Sequence, residues 1–168
     1  MKTYLITGGT GFIGSHLVRR LVQQNERVHL IIENDANLWR IDDLSKNINV
    51  HEMSLADHQR VTNLVTAIRP DRILHLASYG GMPYESNQQL IYDVNFYGTM
   101  NLLNACKSFG FECFINTGSS SEYGKKQTAM HEDDVLAPVS DYAVAKAAAT
   151  QFCLKEADRK STRLNSSH

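Results

Sequence analysis

The chain has 168 residues, 42% of them hydrophobic, with 17 basic and 18 acidic side chains, a length that suits one domain with a sizeable core. A net charge of −1 argues against a protein that binds the phosphate backbone of nucleic acids, and no apolar run approaches the roughly 20 residues that cross a membrane. Because the start carries no secretory signal and Cys106, Cys113 and Cys153 lack CxxC spacing, we expect a cytoplasmic protein without disulfides or a metal site.

Short apolar runs alternate with amphipathic segments along the chain. The predicted strands are residues 2–7, 27–32, 49–53, 72–77 and 112–117, and the predicted helices are residues 13–21, 61–68, 91–109 and 140–157. Strands that alternate with helices indicate a parallel sheet wound by right-handed crossovers. The predicted fold class is therefore α/β, with an open, doubly wound parallel sheet formed by residues 1–157.

The last residues differ in character from the rest. Residues 158–168 read DRKSTRLNSSH, with no apolar periodicity, and they resemble the translation of a sequencing-library adapter. We predict that they are a non-native tail and exclude them from the fold. On this interpretation the natural chain continues past Ala157 into further strands and a substrate domain, and the 168-residue chain alone is inactive.

A glycine-rich turn joins the first strand to the first helix. Gly8, Gly11 and Gly14 give the spacing G-x-x-G-x-x-G, in which the glycines permit a tight turn, close approach of a pyrophosphate and close packing of helix on sheet. The free N–H groups and the dipole at the helix N-terminus favour an anion there. The strand–turn–helix context predicts a dinucleotide-binding site.

An acidic residue follows the second strand. Glu33 lies about 20 residues after the glycines, where an acid accepts hydrogen bonds from the adenosine ribose and repels a 2′-phosphate. This position favours NAD over NADP. Arg40 is near enough in sequence to contact a phosphate instead, so NADP stays open.

A Tyr-x-x-x-Lys pair begins the last predicted helix. Tyr142 and Lys146 are spaced i and i+4 and share one helix face. A neighbouring ammonium stabilises a phenolate, which then exchanges a proton with a substrate hydroxyl. Ser119, in the Ser-rich turn after the fifth strand, would hold that hydroxyl at the sheet edge where open α/β folds bind ligands.

Five ordered motifs resemble the extended short-chain dehydrogenase/reductase family, in its NAD-dependent epimerase/dehydratase group acting on nucleotide sugars. They are TGGTGFIG (7–14), HLAS (75–78), DVNFYGT (93–99), TGSSSEYG (117–124) and SDYAVAK (140–146). The resemblance implies a Rossmann fold, a nucleotide-sugar substrate, NAD and a homodimer of the full-length protein.

The resemblance also implies site residues. Ser119, Tyr142 and Lys146 would be catalytic, with Lys146 also binding the nicotinamide ribose. The cofactor-binding residues would be Gly8, Gly11, Phe12, Ile13, Gly14, Glu33, Leu55, Asp57, Leu76, Ala77, Ser78, Asn95, Tyr142 and Lys146. For Asn95 a packing hydrogen bond is an equal alternative, and His75 is predicted to be a core histidine.

Departures from the family pattern bear on the reaction. Ser54 stands where many members carry an acid beside adenine, and Ser120 and Ser121 stand where sugar 4,6-dehydratases carry acids. Glu122 is one position late for that role and is interpreted as a solvated turn residue. A 4-epimerase is therefore favoured. A 4-keto-sugar reductase, a 4,6-dehydratase and a non-catalytic dinucleotide sensor are the alternatives.

Overall fold

The computed structural model describes residues 1–82, 84–160 and 164–167 and arranges them around one parallel sheet. The strands are β1 (Thr3–Thr7), β2 (Arg27–Ile32), β3 (Ile48–Glu52), β4 (Arg72–His75), β5 (Cys113–Thr117) and β6 (Leu164–Ser167). Their order is β3-β2-β1-β4-β5-β6, with every pair parallel. The connections wind in opposite directions from β1, so the predicted doubly wound α/β class is confirmed, and a ligand crevice is expected where β1 and β4 meet.

The helices cover both faces of this sheet. They are α1 (Phe12–Gln23), α2 (His58–Ile68), α3 (Gln88–Tyr92), α4 (Gly98–Lys107) and α5 (Asp141–Lys160), with short 3₁₀ turns at Asp42–Leu44 and Ser120–Tyr123. None of the helices in the described part of the chain is long and apolar enough to cross a membrane.

The core consists of two apolar layers, one on each face of the sheet. Alternation along β1 places Leu5 on one face, in the layer with Phe114 and helices α2, α4 and α5. It places Tyr4 and Ile6 on the other face, in the layer with Val18 of α1. Because both faces are covered, β1 and β2 read as nearly continuous apolar runs.

The long helix predicted at 91–109 is divided into three segments. A π-helical segment, Asp93–Tyr97, joins α3 to α4. At this point the Asn95 side chain donates from Nδ2 to the carbonyl of Ile91 at 2.8 Å, and Thr99 Oγ1 donates to the carbonyl of Asn95 at 2.7 Å. Side chains that bind backbone carbonyls within a helix disturb its regular hydrogen-bond ladder. The pattern of apolar residues contains no information on such polar bonds, so it did not predict the interruption.

The C-terminal part of the structure extends beyond the predicted fold, which ends at residue 157. Helix α5 continues to Lys160, and the backbone of Leu164–Ser167 pairs with β5. The edge of β5 offers unpaired N–H and C=O groups that any extended segment satisfies through its backbone. Because such pairing requires no pattern of apolar residues, the spacing of apolar residues did not predict β6. Residues 161–163 and 168 of the predicted tail lie outside the described residues, and the non-native origin of the tail stays a prediction.

Candidate cofactor cleft and active site

A cleft of about 470 Å³ opens at the carboxyl ends of β1, β2 and β4. It lies at the crossover point where doubly wound sheets bind ligands. The predicted cofactor residues that line it are Gly8, Gly11, Glu33, Leu55, Leu76, Ala77 and Ser78. Segments far apart in sequence thus meet around one cavity.

Two glycines allow the turn at the base of this cleft to form. Gly8 has φ +68°, and a Cβ there would lie 2.7 Å from the backbone nitrogen of Ala77. A Cβ on Gly14 would lie 2.1 Å from the carbonyl oxygen of Gly8. Any side chain at either position would collide with backbone atoms, so the turn, the first helix turn and the loop after β4 stay in close contact only with glycine present.

The N-terminus of α1 faces this turn without a side-chain cap. Gly11 is the N-cap residue, and the first helical turn contains no acidic side chain. Phe12 and Ile13 are exposed residues, and the backbone N–H groups of the first helical turn have no partner within the helix. A helix start without a side-chain cap is suited to a phosphate group.

Glu33 lies at the rim of the cleft, beyond the end of β2. Partial burial raises the pKa of its carboxyl group, a hydrogen bond from Ser54 opposes that shift, and nearby Asp35 adds to it. Ser54, noted in the sequence as a departure, therefore contacts the predicted ribose-binding acid. Arg40 stacks over Trp39 at 4.2 Å and is not among the cleft-lining residues.

A buried polar chain centred on His75 links the loop after β4 to the π-helical segment. Thr99 donates its hydroxyl proton to Asn95, so the 2.8 Å contact requires His75 Nε2–H to donate to Thr99 Oγ1. His75 Nδ1 then accepts from Thr7 Oγ1 at 2.6 Å, and Thr7 Oγ1 in turn accepts from the Ala77 backbone N–H. Burial, followed by the charge of Lys146, lowers the pKa of His75 to about 3. His75 is thus a neutral core histidine, which confirms its predicted role.

Asn95 and Asp57 are among the predicted cofactor residues that do not line the cleft, and both bind backbone groups. Asn95 is buried and donates from Nδ2 to the carbonyl of Tyr79 at 2.6 Å, while its Oδ1 accepts from the Tyr79 N–H. Asp57 is the N-cap of α2 and accepts from the Arg60 N–H at 3.0 Å. Each fixes an element beside the cleft, which for Asn95 is the packing role left open by the sequence.

The catalytic candidates gather where β5 ends and α5 begins. Lys146 is buried and its Nζ donates to the carbonyl of Thr117 at 2.5 Å, two residues before Ser119. Tyr142 points toward the loop after β4, since a Cβ on Gly81 would lie 3.8 Å from its Oη. The Ser119 hydroxyl accepts from the Ser121 N–H at 3.2 Å. One helix therefore places Lys146 beside the start of the serine turn and Tyr142 beside the loop after β4.

Glu122 is fully buried, so the prediction that it is a solvated turn residue is wrong. Its Oε1 accepts from the Ser119 backbone N–H at 2.7 Å, which completes a capping box on the 3₁₀ turn. The signal was present in the sequence, since a serine followed three residues later by a glutamate is the capping-box pattern. An acidic residue in a polar turn was wrongly assigned to solvent.

The chain is similar to several nucleotide-sugar enzymes. A family model described as GDP-mannose 4,6-dehydratase matches residues 5–164. The UDP-glucuronate 4-epimerase of Thermodesulfobacterium geofontis is 31% identical over 157 residues, and the match covers 87% of this chain and 48% of that protein.

Solved structures show the same similarity. The UDP-Glc/GlcNAc 4-epimerase of Campylobacter jejuni has a TM-score of 0.86 at 27% identity, over 96% of this chain and 50% of its own. The UDP-glucose 4-epimerase of Thermus thermophilus, solved with NAD, has a TM-score of 0.86 at 25% identity, over 98% of this chain and 53% of its own. The chain spans about half the length of the curated relatives and solved structures it matches.

Proposed function

This chain belongs to the GDP-mannose 4,6-dehydratase family, within the NAD-dependent epimerase/dehydratase group of extended short-chain dehydrogenases/reductases, and from that premise we propose that it is the cofactor-binding part of a nucleotide-sugar 4-epimerase. The observation that carries the proposal is a glycine-based dinucleotide cleft at the carboxyl ends of β1, β2 and β4, with Lys146 bound to the carboxyl end of the neighbouring strand β5 just before Ser119 and Tyr142 beside the loop after β4. Its relatives include epimerases of UDP-glucuronate and UDP-glucose, which supports this substrate class.

The cleft fits NAD on its own features. The close contacts at Gly8 and Gly14 leave a cradle that a Cβ would fill, and the uncapped start of α1 offers N–H groups to a pyrophosphate. Glu33 would accept hydrogen bonds from the adenosine ribose, and Leu76–Ser78 would line the path of the cofactor across the sheet. Structural relatives solved with NAD agree with this assignment.

Bound NAD would supply the hydride acceptor and donor for the sugar carbon. The protein's part is to orient the sugar and move its hydroxyl proton. In this proposal Ser119 holds the 4-hydroxyl and Tyr142, as phenolate, takes its proton. The ammonium of Lys146 stabilises that phenolate and binds the nicotinamide ribose. The proton returns to the 4-keto sugar when its other face is reduced, which inverts the carbon.

The residues around the serine turn favour epimerisation over loss of water. A 4,6-dehydratase needs an acid and a base within reach of the sugar, and the exposed side chains next to Ser119 are Ser120 and Ser121. The carboxylate of Glu122, the next residue of the turn, is buried and bound to backbone. It therefore has no access to a sugar in the cleft.

The proposal extends to the setting of the whole protein. We place the full-length enzyme in the cytoplasm as a homodimer. Exposed apolar side chains on neighbouring helices, among them Tyr97, Val144 and Leu154, support a protein contact on this side of the domain.

The test uses full-length protein, a panel of UDP-sugars and product chromatography. Tyr142→Phe is expected to lower kcat by about 10² to 10⁴ while NAD binding, followed by calorimetry, is retained. Tyr84→Phe, at an exposed tyrosine, serves as the matched control with unchanged turnover. Net consumption of NADH would show a reductase, release of water a dehydratase, and binding without turnover a sensor. Any of these results would overturn the proposed epimerase.

A further inference from the structure

Glu122 is a buried carboxylate for which the proposed reaction has no direct use. Its side chain is 0% exposed, and Oε1 is bound to the Ser119 N–H. The other oxygen, Oε2, is buried without a hydrogen-bond partner among the described residues. A buried charge with an unmet acceptor is costly unless an opposite charge compensates it. An ionised Glu122 therefore requires a positively charged neighbour.

The compensating group is Lys146, on the face of α5 that packs against the serine turn. Burial lowers the pKa of the Lys146 ammonium, while the negative charge of Glu122 raises it. Among the described residues the Lys146 Nζ has one neutral acceptor, the Thr117 carbonyl, and a carbonyl does not offset a full positive charge. An ammonium and a carboxylate with the same need for compensation therefore bind backbone groups two residues apart, at Thr117 and Ser119.

Three titratable groups near Lys146 and Glu122 are neutral near pH 7. Burial raises the pKa of the Cys153 thiol to about 12, and burial lowers the pKa of His75 to about 3. Tyr123, beside Glu122, has its pKa raised by burial and then by that carboxylate. Until the Tyr142 phenolate of the proposed reaction forms, Glu122 is therefore the negative charge that acts on Lys146 within the described part of the chain.

We propose that Glu122 is a positioning residue with two roles: its Oε1 fixes the backbone of Ser119, and its charge keeps the buried Lys146 in the ammonium form. The inference deepens the proposed function, on which the catalytic meaning of Ser119 and Lys146 rests. A neutral lysine would not stabilise the Tyr142 phenolate, so the carboxylate sets the alkaline limit of the reaction without touching substrate.

The decisive variant is Glu122→Gln, which keeps an acceptor for the Ser119 N–H and removes the charge. The titration of Lys146 is followed by NMR of the 168-residue chain with ¹³C at the lysine ε-carbons. The midpoint is expected to fall by about 1 to 3 pH units relative to wild type. Glu132→Gln, which removes an exposed carboxylate from the following loop, is the matched control and should leave the midpoint unchanged. Equal midpoints in wild type and Glu122→Gln would overturn the inference.

In the full-length enzyme the same variant separates this inference from the proposed function. The alkaline limb of the pH profile of kcat/KM should move to lower pH in Glu122→Gln and stay in place in Glu132→Gln. One outcome separates the two: neither the wild type nor either variant turns over any sugar, while the Lys146 midpoint still falls in Glu122→Gln. In that case the epimerase proposal fails and the Glu122–Lys146 pairing stands.

A folding failure of Glu122→Gln is also informative. The double variant Glu122→Gln/Lys146→Met contains neither buried charge and is expected to fold, as judged by thermal unfolding and amide NMR spectra, because charge compensation is no longer needed. If the double variant fails as the single one does, Glu122 acts only through the serine turn, and its role toward Lys146 is refuted.

Discussion

The cofactor end and the catalytic end of the site consist of different chemical groups. The cofactor end consists of backbone amides, glycines and an exposed acid, with Gly8 and Gly14 in contact with main-chain atoms and Glu33 at the rim. The catalytic end consists of buried charges, Lys146 and Glu122, separated by a serine turn. The first recognises an anion by shape and by helix-end N–H groups. The second depends on how charges act in a medium that excludes water.

This difference determines how a substitution acts at each end. At the cofactor end a single methyl group is enough to disrupt the site, because the limiting factor is space. At the catalytic end a substitution of equal volume is enough, because the limiting factor is charge. Substitutions at the two ends and between them test this division, from the largest expected effect to the smallest.

Gly14→Ala is expected to have the largest effect. The added Cβ would lie 2.1 Å from the Gly8 carbonyl oxygen, a backbone atom that cannot rotate away. We expect the free energy of unfolding to fall by about 3 kcal/mol, and the affinity for NAD to fall at least 100-fold, because the helix start moves away from the turn. Chemical denaturation and calorimetric titration with NAD measure the two effects.

Gly9→Ala is the matched control in the same turn. The three atoms nearest to a Cβ at Gly9 would be side-chain methyl groups of Leu30 and Val18, the nearest at 3.0 Å. These can rotate, so the cost should stay at or below about 1 kcal/mol and NAD binding should persist. Equal losses in the two variants would show that the turn fails through flexibility rather than close contact.

The same division explains what could be predicted from the sequence. The sequence predicted the glycine turn, Glu33 and the Tyr142–Lys146 pair as site residues. Residues at a given spacing along a strand, turn or helix have a given arrangement in three dimensions. The assignment of Glu122 to solvent was wrong, since burial depends on how α5 packs over the turn after β5. Likewise the π-helical segment around Asn95 depends on side-chain hydrogen bonds that apolar periodicity does not record.

His75→Gln tests the neutral polar chain that links the loop after β4 to the π-helical segment. In the wild type the folded histidine has a pKa of about 3, whereas an unfolded histidine titrates near 6.5. Between these values the unfolded state binds a proton that the folded state does not, so stability falls as the pH falls from about 6.5 toward 3. The expected slope from this residue is up to about 1.4 kcal/mol per pH unit.

Urea denaturation at pH 7, 6 and 5 measures this slope, which His75→Gln should reduce by that amount whatever its absolute stability. A residual slope should remain, because burial also lowers the pKa of His29 and of His51. His58→Gln, at an exposed position, is the control and should keep the wild-type slope. If His75→Gln keeps it as well, the histidine is not held neutral in the fold.

Glu33→Gln is expected to have the smallest effect and to expose the contrast between the two ends most directly. The amide keeps an acceptor for the ribose hydroxyls and loses the charge that repels a 2′-phosphate, so the preference for NAD over NADP should fall about tenfold, or about 1.4 kcal/mol. Asp43→Asn, at an exposed acid paired with Arg19 outside the cleft, should leave that preference unchanged.

Because Glu33 is exposed, raising the salt concentration should shrink the difference in cofactor preference between wild type and Glu33→Gln. The shift of the Lys146 midpoint in Glu122→Gln should persist at the same salt, because both of the charges involved are buried. A Glu33 effect that resists salt would mean that the cofactor end also works through a charge shielded from water, and the division between the two ends would not hold.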